Sequence, residues 1–468
     1  MQKYNPVTLT VVEKLKAIVG VANVTVDLEK MEPYAHDEVT DARYHKMPEV
    51  VVFALTTEQV AEVMKLANEE TIPVVPRGAG TGLACGAVPI YGGIVLSLEK
   101  MNRILEVNTD SLYMIVEPGV RTEDVQKAAK DAGLFYAGDP CSGDSCFIGG
   151  NVATNAGGNK AVKYGTTRHQ VYGIQVVTAK GDITRLGGRL QKNTTGYSLE
   201  QLIMGSEGTL GIITEITLKL MPLPQHVVDL LAVFPSVKSA IAIVPMIIKA
   251  GVLPTCVEFM DNITIQSIGR FLNEKLPHME AGHYVIIQVE AENEDDLDNK
   301  SVQLDELCVA NGAIEVLVAD PAKIWRARKA FAEAVRHESL IVCKEDIVVP
   351  YDRIPDIMDT ISGLSEKYSL VARTASHAGD GNIHLNILKC DLPEEEWDAK
   401  LQLFQHELYT AVYALGGKLS GEHGIGSKRR DLMEEYTDPV ELAMMKDIKR
   451  ALDPKGILNP GKIFNLNS

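Results

Sequence analysis

The run Pro76-Arg77-Gly78-Ala79-Gly80-Thr81-Gly82-Leu83 follows directly on Ile72-Pro73-Val74-Val75, which reads as a strand. Three glycines in five residues at a strand end let the backbone bend until several N–H groups converge on a phosphate. The run is not the dinucleotide fingerprint G-x-G-x-x-G. Leu83 stands where the third glycine belongs, and Pro89, Gly92 and Gly93 oppose the helix that should follow. Nor does it end in the Gly-Lys-Ser/Thr of a Walker A loop. A plain turn satisfies the same composition, so the rest of the chain has to decide.

Upstream lie an amphipathic segment, Leu9 to Val19, a short strand at Val24-Thr25-Val26 and a polar arm reaching Pro48. Val50 to Phe53 reads as a buried strand, and Thr56-x-x-Gln59 as a capping box opening a helix with Val60, Val63, Met64 and Ala67 on one face. Downstream, strands at Ile94 to Leu98 and Tyr113 to Val116 lead to Glu117-Pro118-Gly119 and a helix from Thr122 to Lys130. A second loop runs from Pro140 to Gly158 and is dense in Gly, Ser, Thr and Asn. Close backbone approach with neutral donors suits a buried pyrophosphate bound without lysine. Phe147, Ile148, Val152 and Ala153 are apolar anchors that a solvated linker would not need. A strand pair, Ile174 to Thr178 and Ile183 to Leu186, turns at Lys180-Gly181-Asp182, and Gly205 to Gly211 feeds an alternating strand from Ile212 to Leu220. Pro222 and Pro224 then mark a domain boundary.

Beyond Pro224 a strand–helix–strand pattern occurs twice: Val227 to Phe234, Ser236 to Ala250, Thr255 to Phe259, then Tyr284 to Val289, Asp295 to Ala310, Ile314 to Val318. Two such units predict a ferredoxin-like half-open sheet. The acidic run Glu290 to Asp298 is expected on a solvated face at a helix start. Asp320-Pro321 opens a helix carrying Trp325, Arg326, Arg328, Lys329 and Arg336. Glu394 to Leu415 reads as a helix, and Asp453 to Pro460 as irregular.

Within Ser376-His377-Ala378-Gly379-Asp380-Gly381-Asn382-Ile383-His384-Leu385-Asn386, Asp380-Gly381 signals a two-residue hairpin turn. Centring the turn there sets Gly379 against Asn382 and His377 against His384, a separation of about 5 Å between Cβ atoms that suits two imidazoles on one metal ion. Two surface histidines on a polar hairpin are the plainer alternative. Ser420-Gly421-Glu422-His423-Gly424 adds a carboxylate and a third imidazole, which favours the metal reading. Asn386 shares strand parity with His384.

Composition closes several options. The 468 residues are enough for two or three domains, and 46% hydrophobic with 23% charged residues is a globular composition. A net charge of −17 argues against nucleic acid and anionic membranes. The opening Met1-Gln2-Lys3-Tyr4-Asn5-Pro6 has no export signal, and the apolar run from Ile241 to Leu253 is too short to span a bilayer. Cys85, Cys141, Cys146, Cys256, Cys308, Cys343 and Cys390 form no CxxC pair and read as reduced, buried thiols of a cytoplasmic protein, with no iron–sulfur ligation.

Jointly, Pro76 to Leu83, Glu117-Pro118-Gly119, Ile148 to Gly158, Tyr164-Gly165-Thr166-Thr167-Arg168, Gly205 to Gly211, the two histidine stretches and Asn459-Pro460-Gly461-Lys462 resemble a flavoprotein family of vanillyl-alcohol-oxidase (PCMH-type) fold. It includes D-lactate dehydrogenase, the glycolate oxidase D subunit and D-2-hydroxyglutarate dehydrogenase. The resemblance implies an α+β protein: an FAD-binding domain over 1–224, a ferredoxin-like substrate or cap domain over 225–415, and a C-terminal segment, 416–468, completing the first. It implies FAD contacts at Arg77, Gly78, Ala79, Gly80, Thr81, Gly82, Pro118, Gly119, Pro140, Ser145, Gly149, Gly150, Thr154, Asn155, Gly157, Glu207, Gly211, Ile212 and Asn459. It assigns His377, His384 and Glu422 to a divalent metal (Zn, Fe or Mn), His423 to the catalytic base, and Arg328 and Lys344 to the substrate carboxylate, with Arg326 as the rival of Arg328. Asn386, by its strand parity with His384, is expected to point into the site and bind substrate. Cys85 departs from the family's usual glycine, and Cys141, Asp144 and Cys146 are unusual in the second loop. No histidine matches a covalent flavin link, so FAD is expected to dissociate.

The function so implied is oxidation of a small D-2-hydroxy acid, lactate ahead of glycolate. A partner takes the electrons: an electron-transfer flavoprotein ahead of an iron–sulfur subunit. The competing readings are a flavin transferase of alkyl-glycerone-phosphate synthase type, a flavin-free metal-dependent hydrolase, and a non-catalytic electron-transfer subunit.

Overall fold

Val50–Phe53, Val74–Arg77 and Ile94–Ser97 are apolar nearly end to end because they pair in parallel and are covered on both faces. The computed structural model describes residues 4–466, so Met1 to Lys3 of the opening read above lie outside the described residues. Chain contacts divide the molecule into two units. The first holds the chain up to Gly157, Gly165–Leu223 and everything from Glu422 onward. The second holds Gly158–Tyr164 and Pro224–Gly421.

In the first unit the parallel strands carry Val24–Thr25 antiparallel on one edge. Helices Leu9–Val19 and Thr57–Glu70 bury Leu15, Val60, Val63 and Met64 against them, and Ile457 and Leu458 join that core from the C-terminal end. Thr56 caps Thr57–Glu70 by accepting from Gln59 N. A second, antiparallel sheet has the order Ile104–Asn108, Tyr113–Val116, Ile212–Lys219, Val171–Val177, Ile183–Gly187. The second glycine-rich loop is not irregular throughout: its apolar anchors wind Ile148–Thr154 into a short helix with Ile148 and Val152 buried.

The second unit is built on one antiparallel sheet of seven strands: β1 (His226–Phe234), β2 (Cys256–Met260), β3 (His283–Ala291), β4 (Glu315–Val318), β5 (Val342–Val348), β6 (Val371–His377) and β7 (Asn382–Leu388). Their order is β4-β1-β3-β2-β6-β7-β5. The first four reproduce the 4-1-3-2 order of a ferredoxin-like sheet, and the histidine hairpin extends it. Helices Val237–Lys249 and Glu294–Ala310 provide the two crossovers. On the other side of the sheet, Ile265, Ile268, Ile324, Ala327 and Phe331 pack on Leu231, Ile286 and Met260.

Four expectations are corrected. The arginine-bearing helix is two helices, Pro321–Lys329 and Phe331–Glu338, separated at Ala330. Glu290, expected in water, is buried and binds Lys163 Nζ at 2.6 Å and Tyr164 Oη at 2.5 Å. Cys141 and Cys390 are exposed, while the other five cysteines are buried and all seven are free. Finally, His377 pairs with Asn382 and Ala375 with His384, so the turn spans the four residues Ala378 to Gly381. Gly381 takes φ +86°, and a Cβ there would strike the Val349 carbonyl. No helix among the described residues is long and apolar enough to cross a membrane.

Candidate active site

In the first unit the glycine loops meet around the short helix Ile148–Thr154. A Cβ on Gly78 would lie 3.7 Å from Gly150 N, while a Cβ on Gly150 would meet nothing within 4 Å. Gly149 N donates to the Pro118 carbonyl at 2.9 Å, and a Cβ at Gly149 would sit 2.9 Å from that oxygen, so Glu117-Pro118-Gly119 docks there only because residue 149 lacks a side chain. At the helix's other end, Gly205 N and Glu207 N donate to the carbonyls of Val152 and Ala153. Asn155 caps it in the left-handed region and accepts from Thr166 Oγ1 and Arg168 N. Buried Ser206 Oγ, Asn459 Oδ1 and Arg168 Nε have no hydrogen-bond partner in the protein. A cradle of bare backbone ringed by unused polar atoms fits a polyphosphate cofactor.

Several predicted cofactor residues serve this frame through their side chains. Arg77 is buried, lies over the Tyr34 ring and donates to the carbonyls of Pro33 and His36, so its guanidinium is engaged with the N-terminal arm. Thr154 Oγ1 returns to the Gly150 carbonyl, Pro140 O accepts from Gly143 N, and Ser145 is exposed on the loop. Gly211 and Ile212 are packed beside Val176 and in the core respectively. Asn459 Nδ2 donates to Gly86 O and Glu207 O. Ala79, Thr81 and Gly82 sit in the bend that Gly80 opens at φ +77°, and Gly119 N donates to Met101 O.

Glu207, which the resemblance assigns to FAD, has its side chain engaged within the protein. Its carboxylate accepts from Ile425 N and Gly426 N, both at 2.7 Å, so it fixes the turn that follows Glu422 and His423. Burial pushes its pKa up, against those two N–H groups and the charges of Lys462 and Arg429. Lys462 is fully buried beside it, donates to Val88 O at 2.6 Å and is pushed down to about 8 by that burial, while Cys85, Glu207 and Asp37 oppose the shift. Glu422 packs on Gly157, where a Cβ would come within 2.6 Å of Oε2.

In the second unit one sheet face gathers the predicted residues. Strand parity puts Asn382, His384 and Asn386 of β7 on the same side as His377 of β6, and the register sets Lys344 beside Asn386 and Asp346 beside His384 on β5. The His377 and His384 rings meet edge to face at 4.8 Å between centroids. Asp346, which sequence reasoning did not single out, is fully buried, lies 3.6 Å from His384 Nδ1 and accepts from Asn382 Nδ2 and Ser420 Oγ. Gly421 N donates to the Asp346 carbonyl, and the chain passes from there directly into Glu422 and His423. Glu258 of β2, also not predicted, lies opposite His377. For Glu258 the only hint was a carboxylate inside an otherwise apolar strand, whereas Asp346 follows Lys344 and Glu345 in a strand of mixed character and gave none. Arg328 is buried on this face and paired with Glu258, whereas Arg326 is half exposed and paired with Glu274. Two imidazoles with neighbouring carboxylates are a donor set that fits a divalent cation.

A glycine cradle in one unit and a sheet bearing histidines and carboxylates in the other are features a flavin-linked oxidoreductase needs. The comparisons agree: the family "FAD binding domain" matches residues 48–187, and "FAD linked oxidases, C-terminal domain" matches 223–463. The chain belongs to this FAD-linked oxidoreductase family, of the D-lactate, glycolate and D-2-hydroxyglutarate dehydrogenase type, and its cofactor is FAD. It is 39% identical to a D-lactate dehydrogenase of Anaerostipes hadrus over 98% of each chain. It is also 34% identical to the glycolate oxidase subunit GlcD of Bacillus subtilis (98% of this chain, 97% of that one), and 34% to a D-2-hydroxyglutarate dehydrogenase of Stutzerimonas stutzeri (97% and 98%). In fold it resembles p-cresol methylhydroxylase with a TM-score of 0.81 at 20% identity, covering 98% of this chain and 97% of that one.

Proposed function

We propose that the protein oxidises a small D-2-hydroxy acid, D-lactate before glycolate, to the 2-oxo acid in a metal-dependent reaction. It passes the electrons to a separate carrier in the cytoplasm, an electron-transfer flavoprotein ahead of an iron–sulfur subunit. The observation that carries this reading is the edge-to-face His377–His384 pair on a sheet face that also bears Lys344 and Asn386. Relatives named for oxidising D-2-hydroxy acids support it.

FAD, when bound, supplies the two-electron acceptor for the hydrogen leaving C2 as hydride. A divalent ion (Zn, Fe or Mn), when bound by His377, His384 and Glu422, supplies positive charge that favours ionisation of the substrate hydroxyl. The chain's own residues do the rest. His423 accepts the hydroxyl proton. Lys344 and Asn386, neighbours in register, and Arg328 orient the substrate carboxylate by charge and hydrogen bonding. Ser420 and Gly421, fastened to Asp346, set where Glu422 and His423 begin.

The test is anaerobic addition of D-lactate to the purified yellow protein. Bleaching of the flavin bands, abolished in His423→Ala, is expected. A protein that stays colourless after FAD is added, or whose flavin ignores D-lactate and glycolate alike, overturns the reading.

A further inference from the structure

Glu258 stands at the centre of β2, fully buried, with its two carboxylate oxygens divided between two partners. Oε1 lies 2.7 Å from His377 Nδ1, and Oε2 lies 2.8 Å from both Nε and Nη2 of Arg328. All three side chains are nearly inaccessible, at 0% for Glu258, 3% for His377 and 4% for Arg328.

We propose that Glu258 is a positioning residue that presents His377 to a divalent cation. The inference rests on the metal assignment under Proposed function. A carboxylate held against a guanidinium is an acceptor, so the proton of a neutral His377 sits on Nδ1 and the lone pair on Nε2. In water an imidazole samples both tautomers and every ring orientation. Here the hydrogen bond removes both freedoms and holds the ring at 87° to that of His384.

The division of oxygens separates this role from a merely structural ion pair. A pair whose sole purpose was to neutralise buried Arg328 would turn the fork-like edge of the guanidinium onto both oxygens, the geometry that binds carboxylate best. Instead Arg328 Nε donates to Oε2, with Nη2 at ion-pair distance from that same oxygen, and Oε1 is given to the imidazole. Arg328 fixes the carboxylate plane, and the carboxylate fixes the ring. The register contributes as well, since Glu258 and His377 are direct partners across β2 and β6, so the backbone ladder already sets the two side chains together. Partners of this kind behind a ligating histidine raise its basicity and set its orientation.

The experiment is a calorimetric titration of Zn²⁺ into the full-length, FAD-loaded protein after metal stripping. Glu258→Gln is expected to bind Zn²⁺ about 10–100-fold more weakly than the unsubstituted protein, with its FAD content unchanged. Because Gln leaves the Arg328 charge buried without its counter-charge, the double variant Glu258→Leu/Arg328→Met forms the second arm. It removes both charges together, which a buried site tolerates better than the loss of one, and is expected to show the same loss. Affinity within threefold of the unsubstituted protein in either folded variant overturns the inference. His377→Ala and His384→Ala separate the two levels of the argument. If they weaken Zn²⁺ binding and the Glu258 variants do not, the role of Glu258 alone falls. If none of the four affects Zn²⁺ binding, the metal assignment falls with it.

Discussion

Lys462 shows how one buried charge records its surroundings. Its ammonium is pushed down from 10.5 to about 8, chiefly by burial. Between those two values the unfolded chain binds a proton that the folded protein does not, so stability rises with pH across that window. The slope contributed approaches about 1.4 kcal/mol per pH unit at most. Denaturation midpoints from pH 8 upward should therefore climb less steeply in Lys462→Met than in the unsubstituted protein, and parallel curves would show that the charge is solvated. His377 and His384 give a second expectation at this scale. His377→Ala and His384→Ala should each lose at least tenfold in bound divalent metal, by elemental analysis of protein purified without chelator, while keeping the flavin spectrum. Retained metal in both would remove them as ligands. Glu258 and Asp346 were barely legible in the sequence because a carboxylate within a strand is ordinarily a solvated residue. Nothing local says which neighbour will neutralise it.

The histidine hairpin decides most at the scale of elements. Sequence reading centred a two-residue turn on Asp380-Gly381, whereas β6 and β7 are joined by a four-residue loop. The error is a slip of two residues, and a slip of two preserves which side of the sheet each residue faces; a slip of one would have exchanged the sides. His377, His384 and Asn386 were therefore placed on a common face despite the wrong partners. The loop depends on Gly381, at φ +86° under the Val349 carbonyl. Gly381→Ala combines left-handed strain with that collision and should cost on the order of 1–3 kcal/mol or more, measured by chemical denaturation. The Glu290 contacts make another element-scale case. Segment Gly158–Tyr164 belongs to the second unit, where Lys163 and Tyr164 share the carboxylate of Glu290. Lys163→Met leaves that carboxylate with one fewer partner and should cost roughly 2–3 kcal/mol. This is below the range for fully buried pairs because a fifth of the Lys163 side chain stays in water.

Over the whole molecule, the glycine cradle lies in one unit and the predicted histidine pair in the other. Removal of each cofactor is accordingly a separate event: chelation should abolish turnover while the flavin bands persist, whereas His377→Ala should leave FAD affinity within about twofold. Loss of both groups together on chelation would contradict that independence. The C-terminal stretch crosses between units at Gly421–Glu422. It is fixed on one side by Ser420 on Asp346 and on the other by Glu207 on Ile425 and Gly426.

The sequence by itself determined the layers and the loops. Strand alternation, glycine density and strand parity are local properties, and they sufficed for the strands around the first glycine-rich loop, the ferredoxin-like sheet and the common face of the hairpin. Tertiary structure alone decided which charges meet. Arg328 turned to Glu258, Arg77 to the N-terminal arm, Glu290 to Lys163 and Tyr164, and Glu207 to the turn after His423. A buried charge must find a counter-charge or hydrogen-bond partner wherever the fold brings one, and the partners here are 70, 41, 127 and 218 residues away. No local pattern encodes such distances. The same physics that hid these pairs from the sequence places Glu258 behind His377.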